Sequence, residues 1–283
     1  MKEIVWQGSD LTSKALIAYL RSPNHPMKIR LIQGLISKIF PEGMVVKNQL
    51  GAKVRVQPHD YIGWSILSRG SYEGVTLALA AEILKEGGVF LDIGTYFGLF
   101  TCSLGVIKDV ECYSIEPYAN SFIKLQENIY LNPGVIAKLF NVALDKGVNL
   151  LELENFNSGN SATVRVVLDE QNSNISRHTV AATTLQKLLS HANAQKITLM
   201  KIDVEGYELP ILEGLDWQGY LRPRNVIIEF TDYSARAIGN GRKSVLDFFT
   251  ARGYEGFTVD GEPLSLEQNT LEDNAWFRDI KAC

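Results

Sequence analysis

The chain of 283 residues is 46% hydrophobic and 21% charged, and its formal net charge is −4. This composition is ordinary for a globular protein and argues against a nucleic-acid binder that relies on a broad basic surface. The three cysteines lack metal-type spacing, the first ten residues lack the apolar core of a signal peptide, and no apolar run reaches membrane-spanning length. We therefore expect a soluble, cytoplasmic protein without a membrane span.

The first 70 residues are predicted to form a helical extension. Apolar residues recur at helical spacing over Lys14–Leu20 and Met27–Phe40, with a break at Ser22-Pro23. Two short strand-like runs, Met44–Leu50 and Lys53–Gln57, then flank a glycine and predict a hairpin. We assign residues 1–70 to this extension and residues 71–283 to the main domain.

In the main domain, strand-like and helix-like segments alternate, which is typical of an α/β protein with a mostly parallel sheet. The predicted strands are Val89–Ile93, Cys112–Ile115, Ala137–Val142, Thr198–Ile202, Val226–Phe230, Gly256–Val259 and Trp276–Ile280. The predicted helices are Val75–Lys85, Phe97–Lys108, Asn120–Leu131, Thr184–His191 and Tyr207–Gly214. A turn at Asp260-Gly261 predicts that the last two strands form an antiparallel edge of a seven-stranded sheet. Residues 145–182 do not fit the alternation and predict an inserted hairpin.

A glycine loop follows the first predicted strand of this sheet. Asp92 ends the strand, Gly94 and Gly98 follow it, and a helix begins at once, an arrangement that opens nucleotide-binding sites. The spacing differs from the Gly-x-Gly-x-x-Gly of dinucleotide enzymes and points towards S-adenosylmethionine (SAM), which has no pyrophosphate. Glu116 stands 24 positions after Asp92, close to the offset of a ribose-binding acid one strand along. Taken singly, each of these residues could instead be an ordinary turn residue or strand-end acid.

A second group of charged residues, Lys201 to Glu208, follows the fourth predicted strand. Asp203 lies at the carboxyl edge of the sheet, where a carboxylate can accept a proton from a substrate hydroxyl or hold that hydroxyl in line. With Glu205 and Glu208 it forms a set of three carboxylates that also fits a divalent metal. We favour no metal, because Glu208 can be a first-turn acid stabilised by the helix dipole.

The segments VFLDIGTYFGLFT, SIEP, TTLQKLL, LMKIDVEGYELPILEGL and NVIIEF, in this order, resemble the FkbM family of SAM-dependent methyltransferases. The resemblance implies a Rossmann-like class I methyltransferase fold and SAM as cofactor. It assigns catalytic roles to Asp203, Glu205 and Lys201. It implies cofactor binding by Tyr72, Glu73, Asp92, Gly94, Thr95, Tyr96, Gly98, Glu116, Pro117, Asn141 and Ala143. It also places residues 158–163 in a loop near the active site. Tyr96-Phe97 departs from the smaller residues that are usual in the family's glycine loop.

The predicted activity is O-methylation of a hydroxyl on a natural product or saccharide, with Asp203 orienting or deprotonating that hydroxyl. The alternatives are N-methylation of a small-molecule amine and a non-catalytic SAM-fold binding module. An NAD(P)-dependent oxidoreductase would require a glycine triad that the loop lacks.

The partner is predicted to be a small-molecule or saccharide acceptor, and not nucleic acid. A carrier-protein-bound acceptor and a homodimer are further alternatives. We expect specificity to arise from the N-terminal helices, the 145–182 insertion and the segment Thr231–Val245. That last segment supplies Asp232, Tyr233, Arg236 and Arg242, which otherwise form an exposed polar loop.

Overall fold

A computed structural model of the chain describes residues 2–22, 28–155, 164–167, 177–232, 241–267 and 270–282. Its strands are β1 (Trp6–Gly8), β2 (Met44–Asn48), β3 (Lys53–Val56), β4 (Gly88–Ile93), β5 (Val110–Ile115), β6 (Ile136–Phe140), β7 (Ala143–Leu144), β8 (Asn149–Asn155), β9 (Val164–Val166), β10 (Arg177–Thr183), β11 (Ile197–Ile202), β12 (Asn225–Glu229), β13 (Tyr254–Thr258) and β14 (Asn274–Asp279). Its α-helices are α1 (Leu11–Arg21), α2 (Lys28–Ile39), α3 (Tyr61–Arg69), α4 (Gly74–Ile83), α5 (Leu99–Gly105), α6 (Ala119–Tyr130), α7 (Leu185–His191), α8 (Glu208–Glu213) and α9 (Arg242–Thr250).

The central sheet has seven strands in the order β13-β14-β12-β11-β4-β5-β6. Strand β14 is antiparallel to both of its neighbours, and the remaining pairs are parallel. This confirms the predicted α/β fold with a seven-stranded, mostly parallel sheet and an antiparallel edge. Because the parallel strands share one direction, the loops after β4, β5, β11 and β12 meet at one edge of the sheet.

Helices cover both faces of the sheet, so its central strands are buried on both sides. Phe90 and Leu91 are adjacent on β4 and fully buried, but they belong to different apolar clusters. Successive side chains of a strand point to opposite faces, and each of these residues therefore packs into the core on its own side. The N-terminal elements contribute to the Phe90 cluster, for example through Trp6 and Ile66.

The N-terminal region contains the predicted helices and hairpin, and also two elements that the sequence analysis missed. Strand β1 is three residues long and pairs antiparallel with the distant β2. Such a short strand has no periodicity of its own to detect. Helix α3 begins after Asp60, whose side chain accepts a hydrogen bond from Ile62 N at 2.9 Å, and it ends at Gly70 with a φ of 104°. Both cap residues are visible in the sequence and could have predicted this helix.

The insertion is larger than the predicted hairpin. Strands β8 and β9 pair antiparallel, with Leu153 opposite Val166, as expected for a hairpin. Strand β10, which the analysis missed, pairs with β8 on its other side and joins β7 in a four-stranded sheet of order β7-β10-β8-β9. The hairpin prediction is therefore incomplete, because β10 finds its partner more than twenty residues back along the chain. The predicted loop 158–163 lies outside the described residues.

The segment 231–245, which we expect to contribute to specificity and which could instead be an exposed polar loop, ends inside a helix. Arg242 is the first residue of α9, and its Nε donates a hydrogen bond to Asp232 Oδ2 at 3.0 Å. Tyr233 and Arg236 lie outside the described residues. Across the described parts of the chain, no helix combines the length and apolarity needed to cross a membrane.

Candidate active site

The glycine loop after β4 is shaped by close approach to the loop after β11. Gly94 has a φ of 78°, and a Cβ at this position would lie 1.9 Å from the carbonyl oxygen of Asp203. Gly98 has a φ of 86°, and its Cβ would lie 2.6 Å from Leu125 Cδ1 on α6. Both positions therefore require glycine for packing within the protein. The close approach brings Asp203 beside the glycine loop.

The buried side chain of Asp92 stabilises the glycine loop from the side of the protein core. It is 2% exposed, and its Oδ2 accepts hydrogen bonds from Thr95 Oγ1 at 2.7 Å and Thr101 Oγ1 at 2.6 Å. Burial raises the pKa of the Asp92 carboxyl, while the Lys201 ammonium and the two threonine hydroxyls oppose that effect. Asp92 and Thr95 thus hold the loop in shape from the protein interior.

Glu116 directly follows β5, which is the neighbour of β4 in the sheet. Its Oε2 accepts a hydrogen bond from Tyr96 N at 2.9 Å, and its Oε1 accepts one from Tyr118 N at 2.8 Å. Burial raises its pKa to about 8, although both backbone N–H groups favour the ionised form. Asn141 donates from Nδ2 to the carbonyl oxygens of Glu116 and Pro117 at 2.8 and 3.1 Å, so it fixes this loop.

These loops surround a cavity of about 900 Å³, including its open mouth, which we name the apolar cleft. Ten of its eighteen lining residues are aliphatic or proline, and they come from α3, β4, β5 and the loop after it, β7, the insertion, the loop after β11 and α8. Six of the predicted cofactor-binding residues line it: Tyr72, Gly94, Tyr96, Glu116, Pro117 and Ala143. Five others lie nearby outside the lining: Glu73, Asp92, Thr95, Gly98 and Asn141. The sequence analysis missed most of the aliphatic walls, since buried aliphatic residues carry no signal that separates a ligand cavity from the core.

Lys201, which is buried, and Asp203, which is partly exposed, form an ion pair at the edge of the cleft. Lys201 Nζ lies 2.8 Å from Asp203 Oδ2, 3.5 Å from Glu73 Oε2 and 4.6 Å from the centre of the Phe100 ring. Burial lowers the pKa of Lys201, but the carboxylates of Asp203 and Glu73 outweigh it, so the pKa is raised overall. The raised pKa favours the ammonium form of Lys201, which lies against Asp203.

Glu205 and Glu208 occupy different environments. Glu205 has a φ of 57° and lines the apolar cleft. Glu208 is buried, and its Oε1 accepts hydrogen bonds from Val204 N at 3.2 Å and Gly206 N at 3.1 Å. Burial raises the pKa of Glu208 to about 7. The two hydrogen bonds stabilise the loop after β11. Within the described ranges, no three His, Cys, Asp or Glu side chains are grouped so that they could hold a metal ion.

A second cavity of about 1240 Å³, which we name the acidic chamber, adjoins the apolar cleft. Its lining residues come from the N-terminal region, α3, the segment before α4, the ends of β11 and β12, and the turn before β14. Tyr72, Asp203 and Glu205 line both cavities. Burial raises the pKa of the Tyr72 phenol, and the carboxylates of Glu73, Asp203 and Glu205 raise it further, so Tyr72 keeps its proton.

Glu272 fixes the wall between this chamber and helix α4. Its Oε1 accepts a hydrogen bond from Val75 N at 3.1 Å, and its Oε2 accepts bonds from Thr76 N at 2.8 Å and Thr76 Oγ1 at 2.7 Å. These N–H groups have no partner within the first turn of a helix, so Glu272 caps α4 from a distant part of the chain. The sequence analysis missed this residue, because no local pattern connects positions 196 residues apart.

The strand order, the glycine loop and the acid at the end of the next strand together define a class I methyltransferase fold. Residues 92–255, more than half of the chain, match the model of the methyltransferase FkbM domain. The chain therefore belongs to the FkbM family, as the sequence motifs predict.

Three proteins to which the chain is similar are distant from it in sequence. The chain is 27% identical over 165 residues to the hexuronic acid methyltransferase AglP of Haloferax volcanii, and the match covers 58% of this chain and 64% of that protein. A TehB-like SAM-dependent methyltransferase from Corynebacterium glutamicum aligns over 76% of this chain and 93% of its own, with 12% identity and a TM-score of 0.43. An rRNA methylase from Streptococcus thermophilus aligns over 73% and 95%, with 13% identity and a TM-score of 0.39.

Proposed function

We propose that the protein transfers the methyl group of SAM to a hydroxyl of a small-molecule or saccharide acceptor. The observation that carries this proposal is the position of Asp203, whose side chain lines both the apolar cleft and the acidic chamber. With the donor in the cleft and the acceptor in the chamber, Asp203 stands where the two molecules meet.

The residues of the apolar cleft fit SAM in two respects. Glu116 presents a buried carboxylate whose oxygens each accept one backbone N–H and retain a further lone pair for the ribose hydroxyls. The aliphatic walls formed by Ile115, Ala143 and Leu144 suit an adenine ring. When bound, SAM supplies a methyl group activated by a sulfonium, so the acceptor oxygen displaces a neutral thioether.

Proton transfer and positioning of the acceptor depend on residues of the chain itself. Asp203 accepts the proton of the acceptor hydroxyl, and Lys201 holds its Oδ2 at 2.8 Å so that the carboxylate keeps one orientation. A positioned base of this kind contributes about 10²- to 10⁴-fold in rate. Tyr72, protonated and shared by both cavities, is available as a hydrogen-bond donor to either molecule.

The relative from Haloferax volcanii, a hexuronic acid methyltransferase, supports a saccharide as the acceptor class. The match spans only 64% of that protein's length, so its acceptor is not transferred to this chain. N-methylation of a small-molecule amine remains the second candidate. A non-catalytic SAM-binding module is the third, and the ion pair that orients Asp203 towards both cavities speaks against it.

Calorimetric titration with SAM, S-adenosylhomocysteine and NADP⁺ tests the donor. We expect micromolar binding of the first two and none of the third. Binding of NADP⁺ alone would replace the proposal with an oxidoreductase, and binding of none would refute it. Mass spectrometry of products from a panel of hydroxylated and amine acceptors then identifies the methylated atom.

A further inference from the structure

Tyr96 is a bulky residue in a backbone conformation that favours glycine. It lies in the glycine loop between Gly94 and Gly98, and its φ of 51° is in the left-handed region. A tyrosine in this region is an outlier that persists only where the surrounding structure holds it in place. Glycine would adopt the same conformation without strain. The contacts of the Tyr96 side chain must therefore compensate for the strain of its backbone.

The phenol of Tyr96 connects the glycine loop to the start of α3. Its hydroxyl donates a hydrogen bond to Asp60 Oδ2, and Lys124 Nζ lies 3.5 Å from the same hydroxyl. The other oxygen of Asp60, Oδ1, accepts the N-cap hydrogen bond from Ile62 N at 2.9 Å. Asp60 is 5% exposed, so both bonds form where little water competes for the carboxylate. A single carboxylate thus joins the glycine loop to the first turn of α3.

The backbone of Tyr96 lies on the donor side of the molecule. Tyr96 lines the apolar cleft, and its N–H donates a hydrogen bond to Glu116 Oε2 at 2.9 Å. Glu116 is the acid that the proposed function assigns to the ribose of SAM. Tyr96 therefore contacts a donor-binding group through its backbone and α3 through its side chain.

Helix α3 supplies one wall of the acidic chamber. Tyr61, Ser65 and Arg69 line the chamber and follow one another at intervals of four residues, so they lie along one face of the helix. The ring of Tyr61 also packs edge-on against that of Tyr72, with 6.2 Å between the ring centroids. The position of α3 relative to the glycine loop thus sets the shape of this wall.

We propose that Tyr96 is a positioning residue that couples the donor site to the acceptor site. Through Asp60, its phenol holds the N-terminus of α3, and with it the chamber face of that helix, against the glycine loop. When the donor orders the glycine loop, α3 is ordered with it, and the acceptor then meets a completed wall. The inference rests on the proposed function, because it takes the apolar cleft as the donor site and the acidic chamber as the acceptor site.

Hydrogen exchange of the full-length protein, followed by mass spectrometry with and without saturating S-adenosylhomocysteine, tests this coupling. In the parent protein, we expect the ligand to slow exchange of the amides of residues 64–69 about fivefold or more. These residues belong to α3 and lie outside the lining of the apolar cleft. Tyr96→Phe removes only the hydroxyl and keeps the ring. We expect this variant to bind S-adenosylhomocysteine within about threefold of the parent affinity and to lose the slowing in α3.

A matched control and a second variant locate the effect. Tyr130→Phe removes a phenol hydroxyl from α6 whose residue is 85% exposed, and it should leave the slowing intact. Asp60→Asn keeps an N-cap acceptor for Ile62 N but lacks the second carboxylate oxygen that accepts from the phenol. We expect it to lose the slowing as well. Because both residues act through one hydrogen bond, the double variant should lose no more than either single variant.

The outcomes are separable from those of the proposed function. Failure of the parent protein to bind S-adenosylhomocysteine would refute the proposed function, on which the coupling rests. Normal binding without any slowing in α3, or with equal slowing in the parent protein and Tyr96→Phe, would overturn the coupling alone. Exchange in α3 that rises in Tyr96→Phe by the same factor with and without the ligand would mark the phenol as a purely structural contact. That result would also overturn the inference.

Discussion

The apolar cleft and the acidic chamber share a wall but are built from different parts of the chain. Sixteen of the eighteen residues that line the cleft lie within the matched family domain, residues 92–255. Ten of the thirteen residues that line the chamber lie outside it, in the N-terminal region or beyond residue 270. Most residues of the cleft therefore belong to the family domain, whereas most residues of the chamber lie outside it. A match through the domain alone consequently says little about the chamber.

We expect the largest effect from a substitution of Asp203, which lines both cavities. Replacing Asp203 with asparagine removes the proton acceptor while keeping the side-chain shape. We expect kcat to fall about 10²- to 10⁴-fold, with the affinity for S-adenosylhomocysteine changed only a few-fold. Steady-state kinetics and calorimetry measure the two quantities. Asp247→Asn on the exposed face of α9 is the control, and an Asp203→Asn variant with full turnover would remove Asp203 from the chemistry.

A substitution confined to the apolar cleft should separate donor binding from acceptor binding. In Glu116→Gln, the carboxylate that receives two backbone N–H groups is replaced by a neutral amide that can accept through only one atom. We expect the Kd for S-adenosylhomocysteine to rise roughly 10- to 100-fold, because the amide nitrogen cannot replace a carboxyl oxygen as acceptor for both a backbone N–H and a ribose hydroxyl. Binding of the acceptor in the acidic chamber should change little. An unchanged Kd would show that Glu116 braces the loops without touching the donor.

A substitution confined to the chamber wall should mainly reduce stability. Glu272→Ala leaves Val75 N and Thr76 N without their acceptor at the start of α4. We expect the free energy of unfolding to fall by about 1–3 kcal/mol, measured by urea titration. The exposed Glu267→Ala variant should stay within about 0.5 kcal/mol of the parent protein. Glu272→Gln, which keeps one acceptor oxygen, should lie between the two.

The smallest effect concerns the pH dependence of stability. Burial raises the pKa of Glu208 to about 7 and that of Glu116 to about 8, each from a usual value of 4.5. At pH values between 4.5 and about 8, the folded protein binds more protons than the unfolded chain. Its free energy of unfolding therefore decreases as the pH rises through this range. Between pH 6 and 7, Glu208 alone should account for a loss on the order of 1 kcal/mol. Urea titrations at both pH values should show a shallower decline in Glu208→Gln, and an identical decline would contradict the assignment.

The residues of the apolar cleft and those of the acidic chamber also differ in how well they could be predicted from the sequence. Asp92, Glu116 and Asp203 each end a buried parallel strand, so a local pattern together with the shared edge of the sheet places them correctly. The capping role of Glu272 and the chamber position of Glu3 depend on contacts between residues far apart in the chain. Neither has a local signature. The extra strand β10 was missed for the same reason, since it is defined by its partner β8 and not by its own periodicity.

Contacts from both ends of the described chain converge on the first turn of α4. Ile4 N donates a hydrogen bond to Gly74 O at 3.0 Å, and Glu272 binds the next two N–H groups. All eighteen residues that line the apolar cleft precede residue 212, whereas Glu272, Asp273 and Asn274 of the chamber follow β13. Because the entropy of closing so long a loop opposes contacts between residues almost 200 positions apart, we expect the first turn of α4 to gain its cap late in folding.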